Sequence, residues 1–126
     1  MKRILIIDDE KDFCHMVKVN LQGLGDYEVR VANSGPAGLQ AASADRPDLV
    51  LLDIMMPGMD GLEVLKRLKQ NLGTLHIPVL MLTAVKDSET KEKAVRLYDE
   101  GYIEKPIQME ELKARIDKAL SKIKKP

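Results

Sequence analysis

Five short apolar runs punctuate the chain: RILII (3–7), YEVRVA (27–32), LVLLD (49–53), PVLML (78–82) and the weaker GYIE (101–104). Runs of this length, rich in β-branched and aliphatic residues and bounded by turn formers, predict β-strands. LVLL places no polar residue on either side of its pleat, so it predicts a strand covered on both faces. Between the runs the period changes. Phe13, Met16, Val17, Leu21 and Leu24 fall on one helical face. Leu62, Leu65, Leu68 and Leu72 do the same, as do Leu112, Ile116, Ala119 and Ile123. An Ala-rich helical segment around PAGLQAASA ends near Pro47. Asp60 and Glu63 have the spacing of a capping box, which predicts a helix starting there. The fourth helical segment is the poorest: DSETKEK (87–93) contains no apolar residue. Only Ala94, Val95, Leu97 and Tyr98 could anchor it, so a loosely held helix is expected.

Strand and helix alternating in this way predict an α/β fold. The expected architecture is a five-stranded parallel sheet in the order 2-1-3-4-5, flanked by five helices, the doubly wound flavodoxin-like arrangement. Right-handed crossovers put helices on both faces. A length of 126 residues fits a single domain spanning 1–126. Lys plus Arg number 20 and so do Asp plus Glu, which gives no electrostatic case for direct nucleic-acid or membrane binding. The single cysteine, Cys14, rules out an internal disulfide and fits a reducing compartment. The apolar run after MKR is too short for a signal peptide, and no run could span a bilayer. A cytoplasmic location is expected.

In doubly wound sheets the site lies where the strands' carboxyl ends meet. Asp8 and Asp9 follow the first run, Asp53 closes the third, Thr83 follows the fourth, and Lys105 and Pro106 follow the fifth. Each has an ordinary reading. Asp8 and Asp9 could cap the next helix, Asp53 could be a turn residue, Thr83 could be structural and Lys105 a surface lysine. Their convergence at one edge favours a site. Two carboxylates about 4 Å apart repel by about 4 kcal/mol at an effective dielectric near 20. A cluster of three therefore calls for a cation, and hard oxygen ligands at a partly open site suit Mg2+. With the metal absent, Lys105 is expected to pair with Asp53. A carboxylate beside a metal and a lysine can act as a nucleophile towards phosphorus, and Thr83 can hydrogen-bond a phosphoryl oxygen.

ILIIDDE, LVLLDIMMPGMDG, PVLMLTA and YIEKP, in this order and spacing, resemble the receiver domains of two-component response regulators, single-domain chemotaxis-type receivers among them. The resemblance covers essentially the whole chain. It implies a phosphorylation-activated switch in which Asp53 accepts a phosphoryl group from a phosphohistidine. The donor would be a sensor histidine kinase or a histidine phosphotransfer protein. It implies Mg2+ held by Asp9 and Asp53, with Asp8 assisting and the Met55 backbone carbonyl completing the protein ligands. Thr83 and Lys105 would bind the phosphoryl oxygens, Tyr102 would be the aromatic switch, and the Lys105–Pro106 peptide would be cis. Phosphorylation would reshape the face of the fourth helix, fifth strand and fifth helix. That face would control binding of a downstream protein or fused output domain, or homodimerisation. Such a protein is an enzyme only towards its own aspartyl phosphate. The sequence departs from the family at YDEG (98–101), where a Gly-Ala-Asp-Asp-like stretch is usual.

Two alternatives differ in class. One is a receiver-fold interaction module that is not phosphorylated. The other is an aspartyl-nucleophile phosphohydrolase, disfavoured because Met55 stands where a second Asp is expected. A flavin-phosphate binder is disfavoured by the repulsion expected from Asp8, Asp9 and Glu10. Cys14 reads as buried filler, His15 and His76 as surface groups, and GPAG (35–38) as a helix-start turn rather than a phosphate loop.

Overall fold

A computed structural model describes residues 1–84 and 102–121. Its strands are β1 (Lys2–Ile7), β2 (Tyr27–Ala32), β3 (Leu49–Asp53), β4 (Val79–Thr83) and β5 (Tyr102–Glu104). Its helices are α1 (Lys11–Gly23), α2 (Gly35–Asp45), α3 (Gly61–Gln70) and the C-terminal α4 (Met109–Ser121). The five strands are parallel, in the order β2-β1-β3-β4-β5. This is the expected sheet. The polar helix expected over 87–98, the YDEG stretch up to Gly101, and Ile123 lie outside the described residues.

The strands sort their side chains between two cores. Ile4, Ile6, Leu49, Leu51, Leu80 and Leu82 pack with Cys14, Val17 and Leu21 of α1 and with Leu112, Ile116 and Ala119 of α4. Leu5, Ile7, Val50, Leu52, Val79 and Met81 point the other way, onto Ala42 of α2 and Val64, Leu65 and Leu68 of α3. Alternation within uninterrupted apolar runs is what covering both faces of a parallel sheet requires. Three assignments shift. The buried stripe of α1 runs through Cys14, Val17 and Leu21, whereas Met16 and Leu24 are exposed. Leu72 lies past the end of α3 and is 88% exposed. A helical stripe continues only while the helix does, and here α3 stops at Asn71.

The cap of α3 is as expected. The Asp60 side chain accepts the Glu63 backbone N–H at 2.9 Å. Asp60→Ala is expected to cost about 1 kcal/mol of stability, measured by urea unfolding. At the sheet edge away from the strands' carboxyl ends, Asp117 of α4 accepts hydrogen bonds from the Tyr27 hydroxyl and from Lys113, the latter at 2.6 Å. Lys2 stands 3.5 Å from the same carboxylate. The Lys113 hydrogen bond, then that of Tyr27, hold the Asp117 carboxyl below its ordinary value. This cluster ties α4 to the first residues of β1 and β2. On the outer strand β2, the Val29 N–H donates to the Gln22 side chain at 3.0 Å.

Candidate functional site

Asp8, Asp53 and Thr83 are each delivered by the end of a strand. β1 ends at Ile7, so Asp8 emerges above the sheet and is wholly buried. Its backbone is fixed from three sides. Its N–H donates to the Ala32 carbonyl at 3.0 Å, and its carbonyl accepts from Asn33 Nδ2 at 2.9 Å and from Cys14 Sγ at 3.3 Å. Burial, then the Asp8 charge, push the Cys14 thiol up to about 12, so it sits protonated as filler. Asp8 and Asp9 do not cap α1. The N-cap is Glu10, whose side chain makes no capping bond, and Asp8 Oδ1 accepts the Glu10 N–H at 2.9 Å.

Asp53 is the last residue of β3 and 3% exposed. The next residue, Ile54, donates its N–H to the Leu82 carbonyl and accepts the Gly61 N–H at 2.8 Å, which pins the acidic end between β4 and the start of α3. Gly61 has no room for a side chain: a Cβ there would lie 2.1 Å from the Asp53 carbonyl oxygen. Gly58, with φ of +76°, turns the loop back towards α3 in a conformation that favours glycine. Met55 is exposed, and its backbone N–H serves the Asp53 carboxylate.

Thr83 ends β4 and is wholly buried. Its carbonyl accepts the Lys105 N–H at 2.8 Å, so the ends of β4 and β5 are held together. The Lys105–Pro106 peptide is cis. Tyr102 opens β5, half-buried against the core that holds α3, and its carbonyl accepts from Arg115 of α4 at 3.2 Å. Phe13 lies under the Lys105 ammonium, 4.4 Å from ring centre to Nζ, a cation–π contact.

The ammonium pairs with Asp53 as expected, but Asp53 is its longest ion-pair contact. Lys105 Nζ is 2.7 Å from Asp8 Oδ2 and 2.8 Å from Glu10 Oε1, but 3.7 Å from Asp53 Oδ1. Asp8 and Glu10 are thus its hydrogen-bonded partners, and Asp53 feels only its charge. Burial by itself would lower the Lys105 pKa. The hydrogen bonds it donates to Asp8 and Glu10 outweigh that and raise it. Asp53, left with the weaker share, is pushed up to about 7, by burial first and then by the Asp8 charge; Asp9 adds to the rise, while Lys105 and the Met55 N–H oppose it.

Among the described residues, the three carboxylates whose oxygens lie within 4.8 Å of one another are Asp8, Glu10 and Asp53. Their donor set, hard oxygens in a partly open crevice, fits a divalent cation such as Mg2+. Asp9, expected as a ligand, is half-buried outside this trio, though its charge reaches Asp53. Glu10 is the site residue that strand-end reasoning left out. The signal was present, as the third of three consecutive acids, but its side chain turns back to Lys105 from the first position before α1.

Comparison with known proteins agrees with this geometry. The family model described as the response regulator receiver domain matches residues 4–117. The chain is 38% identical over 115 residues to the alkaline phosphatase synthesis transcriptional regulatory protein PhoP of Bacillus subtilis, covering 91% of this chain and 47% of that protein. It is 40% identical over 116 residues to the DNA-binding dual master transcriptional regulator RpaA of Synechocystis, covering 92% and 48% respectively. The chain therefore spans about half the length of these curated relatives. Among solved structures, the chemotaxis protein CheY4 of Vibrio cholerae superposes with a TM-score of 0.86 at 30% identity, covering 94% of this chain and 98% of that one.

Proposed function

The chain belongs to the response regulator receiver domain family, and from that premise we propose that Asp53 accepts a phosphoryl group from a phosphohistidine on a histidine kinase or phosphotransfer protein. In the transfer the P–N bond to the histidine breaks and a P–O bond to an Asp53 carboxylate oxygen forms. The observation that carries this reading is the convergence of Asp8, Asp53, Thr83 and Lys105 from four separate strand ends into one crevice. Asp9 and Asp53, with Asp8 assisting and the Met55 carbonyl, would hold Mg2+. When bound, the metal supplies charge neutralisation for the transferring phosphoryl oxygens.

The chain's own residues do the rest. The β3 end and the Gly61 contact hold the Asp53 carboxylate facing the crevice. Thr83 and Lys105 receive the phosphoryl oxygens, and Tyr102, at the start of β5 opposite Met81, responds to their movement. The phosphorylated form is favoured in its active conformation only to the extent that these groups bind the phosphoryl better there. The output is a downstream protein or a fused domain, and homodimerisation on phosphorylation belongs to the same reading. PhoP and RpaA are transcriptional regulators by name, and RpaA is DNA-binding. The expectation that nucleic acid is not contacted directly concerns these 126 residues, whose charges balance. No described helix is long and apolar enough to cross a membrane.

Intact mass after incubation with acetyl phosphate tests the reading. A single phosphoryl adduct is expected, lost in Asp53→Asn and lost when Mg2+ is chelated. Absence of an adduct from the wild type, with both acetyl phosphate and a phosphohistidine donor, would instead favour an interaction module that is not phosphorylated. Steady turnover of a small phosphomonoester would revive the phosphohydrolase.

A further inference from the structure

We infer that Glu10 is a positioning residue that restrains Lys105 before phosphoryl transfer and so sets the rate of that step. The inference rests on the proposed acceptance of a phosphoryl group by Asp53. Lys105 Nζ is shared between Asp8 and Glu10 at 2.7 and 2.8 Å, while Asp53 Oδ1 is 3.7 Å away. A phosphoryl group arriving on Asp53 therefore meets an ammonium already committed elsewhere. The two restraints differ in kind. Asp8 is wholly buried and fixed by its backbone contacts to Ala32, Asn33 and Cys14. The Glu10 side chain is 59% exposed and contributes nothing to the cap of α1. Its described hydrogen-bond partner is Lys105. The Phe13 ring also contacts the ammonium, 4.4 Å from its centre to Nζ. Glu10 can be altered without disturbing the helix start or the core, which makes it the adjustable element of the site.

Removing the Glu10 charge frees one of the two hydrogen-bonded restraints. An exposed ion pair is weak, so the expected gain is modest: Glu10→Gln should raise the rate of Asp53 phosphorylation by acetyl phosphate, at saturating Mg2+, roughly two- to fivefold. The effect must pass through Lys105. In a Lys105→Ala background, the same Glu10→Gln change should leave the slow residual rate unaltered. Glu10 also belongs to the carboxylate trio that could hold a cation, so the Mg2+ dissociation constant is measured by calorimetry on the chain without phosphodonor. It should stay within about twofold of wild type, because the proposed metal ligands are Asp9, Asp53, Asp8 and the Met55 carbonyl. A rate gain that persists in Lys105→Ala would mean that Glu10 merely repels the anionic donor, and would overturn the inference. So would weaker Mg2+ binding with slower phosphorylation, which would make Glu10 a metal ligand. An adduct forming equally fast in wild type and Glu10→Gln overturns the inference alone. No adduct in the wild type overturns the receiver reading and this inference with it.

Discussion

Gly61→Ala is expected to lose both stability and phosphorylation, although Gly61 carries no reacting group. The added Cβ would meet the Asp53 carbonyl oxygen at 2.1 Å, the Ile54 Cα at 2.7 Å and the Asp53 carbonyl carbon at 2.9 Å. All three are backbone atoms of the segment that presents the acceptor, so no rotamer change relieves the contact. Either α3 lifts from the end of β3, or the end of β3 moves. Lifting α3 breaks the Gly61 N–H bond to the Ile54 carbonyl. Moving β3 breaks the Ile54 N–H bond to Leu82 and misplaces Asp53. Overpacking of this kind costs about 3 kcal/mol. A carboxylate displaced by about 1 Å loses on the order of a hundredfold in rate. Urea unfolding and the acetyl phosphate assay read the two effects. Gly23→Ala is the control, because nothing lies within 4 Å of a Cβ there. Equal behaviour of the two variants would mean that α3 does not brace the acceptor.

Asp53→Asn should make the metal-free chain more stable at pH 8. The folded chain holds the Asp53 proton up to about pH 7, against an ordinary value of 3.8. Between those limits the folded state binds a proton that the unfolded state has released, so stability falls as pH rises. The favourable contribution is complete below the ordinary carboxylate value and gone above about 7. Asparagine keeps the shape and removes the charge. The variant is expected to exceed wild type by roughly 2–4 kcal/mol at pH 8 with chelator present. The gap should close as the pH approaches 4. Mg2+ should stabilise wild type at pH 8 and the variant far less, because the cation takes over the compensation that Lys105 leaves incomplete. A difference that does not change with pH would show that Asp53 is adequately paired without metal.

The strands and the sheet order were legible because their signal is local. LVLLD, YEVRVA and the flanking apolar runs need only their own composition to be read as strands, and alternation with helices then restricts the topology. The identities of Asp8, Asp53, Thr83 and Lys105 as neighbours followed from that topology alone. What spacing leaves out is side-chain reach. Lys105 does pair with Asp53, as their strand-end positions predict, but at 3.7 Å. The nearer carboxylates are those of Asp8 and Glu10, and no spacing rule gives a distance of 2.8 Å against 3.7 Å. Counting apolar residues puts Met16 and Leu24 on the buried face of α1, whereas that face runs through Cys14, Val17 and Leu21. Leu72 was extrapolated beyond the stop at Asn71. The role of Gly61 was hidden for another reason: a glycine in a turn sequence looks the same whether it supplies a bend or a close approach.

The bond from Val29 to Gln22 bears on a different hazard. β2 is an outer strand, and an outer strand offers a row of unpaired amides to any other extended chain. The Val29 N–H points away from β1, and the Gln22 side chain occupies it from α1. Glu28 and Arg30, on either side, place opposite charges 3.7 Å apart along the same margin. A second copy adding its own strand there would have to displace an amide and strip water from two charges. The outer margin of β2 is therefore a poor template for strand addition.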